Sequence, residues 1–203
     1  SIPVSATFNI FNYLNITPSV TLNDRMYTNK IRQQWDPVAS AVVRDTTYSF
    51  YNVFDFNASV SLDTKIYGFF KPWKIFGDKV QMIRHVITPT ITFSASPDFS
   101  TRFWGYYGHY SYTDASGSQR TVKYPYFSNG LYGYPGSGKT GMVSFNFANN
   151  LEMKVKSDQD STGCKKVSLI ENLTLSQSYN FAADSLRWSN LSTSILLRLT
   201  KGF

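Results

Sequence analysis

Residues 133–140 read GYPGSGKT and match the phosphate-binding pattern GxxxxGK[ST] in full. In a nucleotide-binding loop, backbone N–H groups cradle the phosphates, the lysine contacts them and the threonine holds magnesium. Lys139 and Thr140 would take those two roles. The chemistry needs a helix directly after the motif, because the helix N-terminus supplies the dipole that attracts phosphate. Residues 143–155 instead alternate as a strand, so we predict a Gly/Pro-rich turn and no nucleotide binding.

Side chains suited to catalysis or metal binding are few. Cys164 is the single cysteine, which excludes an intrachain disulfide, and it has no metal-ligating partners nearby in sequence. The two histidines, His85 and His109, nearly exclude a histidine-based metal site. No acid–base pair or nucleophile triad can be assembled from the sequence. We therefore predict no catalytic residues, no metal site and no cofactor, and we expect the protein not to be an enzyme.

Aromatic and basic residues are interspersed between Phe103 and Tyr134, a stretch with eleven aromatic residues. Such mixtures can stack on single-stranded nucleic acid, but no sequence signature of a nucleic-acid-binding fold accompanies them, and we expect no nucleic-acid partner. The favoured interpretation is an interfacial aromatic girdle with a loop that packs on itself. The basic residues then available to anionic headgroups are Arg102, Arg120, Lys123 and Lys139.

The composition agrees with a membrane-facing or anion-facing protein. Aromatic residues make up 17% of the 203 residues and charged residues only 16%, against roughly 25% charged in an average globular domain. Intrinsic disorder is excluded, because it requires low hydrophobicity together with high net charge. The net charge of +7 favours an anionic partner, such as a nucleic acid, a phospholipid or a phosphorylated glycolipid.

The elements that must position these residues are strands, because the dominant period is two. Between Phe54 and Ile66 the even positions are mostly apolar and the odd positions are Asp, Asn, Ser and Lys. A strand of thirteen residues spans about 43 Å, which at a 45° tilt exceeds the apolar band of roughly 25 Å in an outer-membrane barrel. Glu171 interrupts the pattern, since it has the parity of apolar neighbours. A bulge, an interfacial depth or a covering partner is implied there.

The sequence predicts an all-β fold, an antiparallel transmembrane β-barrel of which about seven long strands are present. The predicted strands are residues 2–10, 14–23, 48–67, 81–96, 141–157, 166–180 and 186–200. The long connections, about 24–47 and 97–140, are predicted to be extracellular, together with the brief 181–185. The connections 11–13, 68–80 and 158–165 are predicted to be periplasmic.

Seven strands are an odd number, whereas bacterial barrels have even numbers. Open strand edges in lipid would also leave backbone groups unpaired. We therefore interpret residues 1–203 as a partial outer-membrane β-barrel domain, completed by remaining strands of the same barrel.

Several phrases resemble the LPS-assembly outer-membrane protein family, the LptD-type translocon barrels. Arg84 and His85 are followed by Thr88-Pro89 and then by Ser-Pro-Asp-Phe at residues 96–99. The phrases at residues 136–139, 149–154 and 178–185 are similar to the same family. Together these segments cover roughly residues 80–200. Before residue 80, the barrel interpretation rests on the alternating strand pattern alone.

The resemblance implies a function and a set of partners. The chain would be the β-barrel component of the lipopolysaccharide transport and assembly translocon, which inserts lipopolysaccharide (LPS) into the outer leaflet. Its partners would be outer-membrane lipid and LPS, a lipoprotein plug subunit and periplasmic bridge components. The protein would be a multi-pass β-barrel in the outer membrane of a Gram-negative cell.

Two alternatives stay open at this point. One is another outer-membrane barrel, either a nutrient transporter or a porin. The other is a secreted β-sandwich that binds carbohydrate through the aromatic loop. Solubility separates the two classes, because a barrel partitions with detergent and a sandwich does not.

Overall fold

The computed structural model describes residues 1–71, 79–157 and 163–197, and within them the chain is all-β. The strands are β1 (Ile2–Ser5), β2 (Phe8–Ile10), β3 (Leu14–Asp36), β4 (Ala41–Thr64), β5 (Ile66–Phe70), β6 (Val80–Ser96), β7 (Tyr107–Thr113), β8 (Gln119–Pro125), β9 (Thr140–Lys156), β10 (Cys164–Asn180) and β11 (Ser192–Leu196). The predicted all-β class is confirmed.

The strands form two antiparallel sheets. The larger sheet has the order β1-β3-β4-β6-β9-β10-β11, with β2 paired to β3 and β5 paired to β6. The smaller sheet is the β7–β8 hairpin. In this order β1 and β11 are at opposite ends and do not pair within the described residues. The structure is therefore consistent with a partial barrel that is not closed.

No helix among the described residues is long and apolar enough to cross a membrane.

Two predicted boundaries need correction. Residues 24–47, predicted to be a loop, are mostly strand, because β3 continues to Asp36 and β4 begins at Ala41. Only residues 37–40 form a turn, in which the Asp36 carboxylate accepts a hydrogen bond from Val38 N at 2.8 Å. The last predicted strand, 186–200, also begins later, since β11 starts at Ser192 and is described to Leu196, while residues 198–200 lie outside the described part of the chain.

The remaining predicted connections have mixed outcomes. Residues 11–13 form the expected tight turn, in which Phe11 and Asn12 adopt positive φ angles of 55° and 61°. Residues 72–78 and 158–162 lie outside the described part of the chain. The side of the membrane on which each connection lies stays a prediction.

The chain divides into two compact units. One comprises Ser1–Val4, Ser19–Ala58 and Ala95–Thr140, and we call it the aromatic unit. The other, which we call the sheet unit, comprises Ser5–Pro18, Ser59–Ser94 and Gly141–Phe203.

The aromatic unit contains a buried hydrophobic core that joins the loop after β6 to strands β3 and β4. Its members are Tyr27, Val53, Phe99, Tyr106 and Phe127. Residues 97–140, predicted to be a loop that packs on itself, contain the β7–β8 hairpin, and their buried rings pack on Tyr27 and Val53 as well as on one another. Their extracellular position stays a prediction. Burial of such rings stabilises by about 1.5–3 kcal/mol each.

The sheet unit has a different construction. None of its described hydrophobic side chains is fully buried. Neighbouring strands are instead joined by polar pairs on one face. Examples are Asn15 Nδ2 with Asp63 Oδ2 at 2.9 Å, and the hydroxyls of Ser61 and Thr92 at 3.0 Å.

Glu171 lies at an irregularity of the β9–β10 ladder. The register shifts between Ser168 and Ile170 and again between Ile170 and Leu173. Asn150 Nδ2 donates to the backbone carbonyl of Glu171 at 2.8 Å within this bulge. Of the three features implied at Glu171, the structure shows the bulge, which accounts for a carboxylate at an apolar position of the sequence pattern. Interfacial depth and a covering partner stay predictions.

Candidate functional site: a polar cleft in the aromatic unit

The structure brings together two of the four predicted headgroup-binding cations. Arg102 and Lys123 line one cleft of about 590 Å³, together with His109. Four hydroxyl side chains, Ser100, Thr101, Ser111 and Thr121, complete its polar lining with Asp98. Arg120 and Lys139 are not among the lining residues.

The β7–β8 hairpin supplies half of the cleft through its register. His109 pairs directly with Lys123, and Ser111 pairs with Thr121. Directly opposed residues of an antiparallel pair share a face. The imidazole, the ammonium and two hydroxyls therefore lie side by side, with the Ser111 and Thr121 oxygens 2.9 Å apart.

A turn at Asp98 supplies the other half. Its Oδ1 atom accepts hydrogen bonds from Ser100 N at 2.8 Å, Ser100 Oγ at 2.6 Å and Gly138 N at 2.8 Å. The Ser100 hydroxyl is the main cause that lowers the pKa of Asp98, with Gly138 N and the charge of Lys123 adding to it. Asp98 is thus held as a carboxylate that fixes the turn.

Lys123 is oriented by two neighbours. Its Nζ atom donates to Ser100 Oγ at 2.7 Å and lies 5.8 Å from the centroid of the Tyr107 ring. An ammonium has three N–H donors, so the bond to Ser100 leaves donor capacity for a ligand. Together with the Arg102 guanidinium and the hydroxyls, this arrangement can bind an anion through charge-assisted hydrogen bonds.

Arg120 has a structural role in the hairpin turn. Its Nε atom lies 2.9 Å from Asp114 Oδ2. The Ser116 hydroxyl and then Arg120 are the main causes that lower the pKa of Asp114, to about 2. The Asp114 carboxylate also accepts hydrogen bonds from the backbone N–H groups of Ser116 and Ser118 at 3.0 and 2.9 Å.

This turn should be resistant to acid. An unfolded aspartate titrates near 3.9, above the folded value, so the stabilisation is present above about pH 4 and is lost as pH falls towards 2. We expect the amide signals of Ser116 and Ser118, followed by NMR, to keep their folded positions down to about pH 3. Asp114→Asn should abolish this acid-dependent transition. A wild-type transition centred at or above pH 4 would contradict the assignment.

Lys139 is exposed, and the motif around it forms turns that lead into a strand. Gly133 and Gly138 have positive φ angles of 70° and 90°, which suit turns. Thr140 is the first residue of β9 rather than of a helix, and its hydroxyl lies 2.7 Å from that of Ser96. The helix N-terminus that phosphate binding requires is not formed at this position, in agreement with the predicted Gly/Pro-rich turn.

A second charged group, in the sheet unit, was missed by sequence reasoning. Glu152 Oε2 accepts hydrogen bonds from Arg84 Nε at 3.0 Å and from Arg84 Nη2 at 2.5 Å. Glu152 Oε1 forms an ion pair with Lys166 Nζ at 2.6 Å. Only the strand register brings these side chains together, since they are up to 82 positions apart in the sequence. The alternating pattern of the sequence places Arg84 and Glu152 on the polar side of their strands, but it does not show that the two side chains pair.

Across residues 1–71, 79–157 and 163–197, no group of three or more His, Cys, Asp or Glu side chains could hold a metal ion. Cys164 Sγ lies 3.2 Å from Gln81 Oε1, in the sheet unit.

Comparison with protein families identifies the family of this chain. Neither the curated proteins nor the solved structures include a match to this chain. The family model described as LptD protein matches residues 1–203, the whole of the chain. This match agrees with the phrases around Arg84 and with the long alternating strands, and the chain belongs to the LptD family.

Proposed function

We propose that this chain forms part of the wall of an outer-membrane β-barrel that acts as the lipopolysaccharide translocon and inserts LPS into the outer leaflet. Membership of the LptD family supports a role in LPS transport, which is a non-enzymatic function, and an outer-membrane location. The proposal that the chain forms part of a barrel wall rests on the exposed apolar face of the sheet unit and on the length of its strands.

The observation that carries the proposal is that, among its described residues, the sheet unit has no fully buried hydrophobic side chain. A soluble domain buries the apolar faces of its sheets against another layer. In the sheet unit, Val60, Ile91, Phe93 and Phe147 have the apolar parity and are 38–46% exposed. Lipid is the environment in which such a face is stable without a second protein layer.

Strand length and face polarity support the same conclusion. Strands β6, β9 and β10 have 17 residues each, whereas a membrane-spanning strand needs about 9–11. The opposite face carries the Asn15–Asp63 and Ser61–Thr92 pairs, as a wet lumen would require. These features count against the secreted sandwich and favour an outer-membrane barrel.

The proposal assigns partners as well. Arg102 and Lys123 in the polar cleft would contact anionic headgroups of LPS or outer-membrane lipid, with exposed Arg120 and Lys139 in secondary positions. A lipoprotein plug subunit would occupy the lumen, periplasmic bridge components would deliver LPS, and remaining strands of the same barrel would complete the wall. Family membership supports LPS and transport components as partners in general.

Depletion of the full-length protein in its own cell separates the two barrel functions. We expect the amount of LPS in the outer leaflet to fall several-fold and LPS to accumulate on the inner side of the outer membrane. The reason is that LPS has no other route to the outer leaflet if this protein is the translocon. The measurement is surface labelling of LPS together with membrane fractionation. Unchanged surface LPS with reduced uptake of a nutrient would contradict the translocon and favour a transporter.

A further inference from the structure

Four cationic side chains and one carboxylate line a cavity of about 290 Å³ in the sheet unit. We call this cavity the lysine cleft. The residues that matter for its chemistry are Phe69 of β5, Met82 and Arg84 of β6, Glu152 and Lys154 of β9, and Lys166 of β10.

The strand register places these charges on one face. Phe69 pairs directly with Arg84, and Lys154 pairs directly with Lys166. Paired residues of an antiparallel ladder project from the same side of the sheet. Glu152, two residues before Lys154, also lies on that side.

The pairing of Lys154 with Lys166 is electrostatically unfavourable. Like charges directly opposite each other destabilise a sheet. Glu152 offsets part of this repulsion, since its carboxylate contacts Lys166 and Arg84. One carboxylate cannot neutralise all the cations around it, so the cleft keeps an excess of positive charge.

Donor capacity also exceeds what Glu152 uses. A guanidinium has five N–H donors and an ammonium has three. The side chains of Arg84 and Lys166 are 40% and 63% exposed, and both can reach a ligand in the cavity. A phosphate group supplies several strong acceptor oxygens and the negative charge that this arrangement lacks.

The apolar members of the lining indicate the rest of the ligand. Phe69 and Met82 are 61% and 41% exposed beside the cations. Free phosphate would gain nothing from these surfaces, whereas an amphiphile would bury them while its phosphate contacts the lysines. An acidic protein segment would match the charge but has less use for an exposed phenyl ring and thioether.

We propose that the lysine cleft binds a phosphate group of a phosphorylated glycolipid on the polar face of the sheet. This inference rests on the proposed function, because it names a contact that the transported LPS makes with the wall. The polar cleft of the aromatic unit is a separate site with different residues.

The test uses the full-length protein in detergent and three probes: phosphorylated lipid A, dephosphorylated lipid A and inorganic phosphate. The double variant Lys154→Gln with Lys166→Gln removes both directly opposed charges. A charged hydrogen bond contributes about 1.5–3 kcal/mol, so affinity for phosphorylated lipid A should fall about tenfold or more. Affinity for dephosphorylated lipid A should change little, and inorganic phosphate should compete only weakly.

Two controls keep the result interpretable. Lys65→Gln removes one positive charge from the sheet unit outside the lining and should bind like wild type. The thermal unfolding temperature should stay unchanged or rise in Lys154→Gln, because that substitution removes the repulsion between paired lysines. Replacement of both lysines by arginine should retain binding.

Several outcomes would overturn the inference. These are equal binding by wild type and the double variant, an equal loss for both lipid probes, or competition by inorganic phosphate at the affinity of the lipid. Loss of a copurifying protein with lipid binding intact would assign the cleft to an acidic partner instead. If wild type binds lipid A independently of the lysines, only this inference fails, whereas wild type that binds neither lipid contradicts the proposed function as well.

Discussion

Replacement of Phe127 by alanine is expected to destabilise the aromatic unit by about 3–5 kcal/mol, the usual cost of truncating a buried phenylalanine. The Phe127 side chain is 5% exposed. Its ring stacks on Tyr27 with a centroid distance of 5.0 Å and meets Tyr51 edge-on at 5.7 Å. The alanine variant would leave a cavity between two strand residues and the loop that covers them. Limited proteolysis of the full-length protein in membranes should show faster cleavage within residues 105–135.

Phe103→Ala is the matched control for this experiment. It makes the same truncation in the same loop, but Phe103 is 84% exposed. Cleavage of the Phe103 variant should proceed close to the wild-type rate. Equal cleavage rates for the two variants would show that the buried rings do not hold the loop in place.

The aromatic residues of this loop also satisfy the backbone of the strands they cover. The Phe54 amide donates to the Tyr106 hydroxyl at 3.1 Å, and the Gln33 amide donates to the Tyr124 hydroxyl at 2.8 Å. The Ile31 amide donates to the backbone carbonyl of Tyr126 at 2.9 Å. Unpaired N–H groups on a strand edge are a template for pairing with other chains. Tyrosine suits this position, since its ring adds buried area and its hydroxyl accepts the bond.

The alternation of side chains predicted the fold well where a strand needs an apolar face. Residues 141–157 and 81–96 were placed within one residue of the observed β9 and β6. The prediction was wrong for residues 24–47, where the sequence has Asp24, Pro37 and Asp45 and lacks a continuous apolar side. Within this range, Tyr27 of β3 packs on the loop of the aromatic unit, and the Gln33 amide donates to the Tyr124 hydroxyl of that loop. A strand covered by protein does not require the period-two pattern that lipid imposes.

The candidate sites were predictable only in part, because their members meet through strand register. The four loop cations could be selected by charge and neighbourhood, but only the pairing of His109 with Lys123 decides which of them converge. The lysine cleft depends in the same way on the pairing of Lys154 with Lys166. A slip of one residue would move every side chain of a strand to the other face. The alternation of the sequence therefore predicts which face of the sheet a residue occupies, whereas the pairing of the strands determines which residue lies opposite it.

A charge placed on the apolar face of the sheet unit should destabilise the protein more than the same charge on the polar face. Phe147 lies near the middle of β9, is 41% exposed and pairs directly with Leu175. Phe147→Arg would place a charge on the apolar face, and an arginine at the lipid midplane costs about 2–4 kcal/mol. Asn146→Arg, one position earlier, would place the same charge on the polar face beside Ser176, where we expect little change. Urea unfolding of the full-length protein in lipid vesicles measures the difference between the two variants.

Leu62→Arg and Ser61→Arg repeat the comparison on β4. The Ser61 hydroxyl lies 3.0 Å from that of Thr92, so its side of the strand already carries polar groups. Leu62 projects from the other side, because successive side chains of a strand alternate. Both comparisons should give the larger loss for the apolar position, and the polar variants should insert into membranes with near wild-type yield. If arginine were tolerated equally at both parities on both strands, the exposed apolar side chains of the sheet unit would not be facing lipid, and the barrel assignment would have to be abandoned.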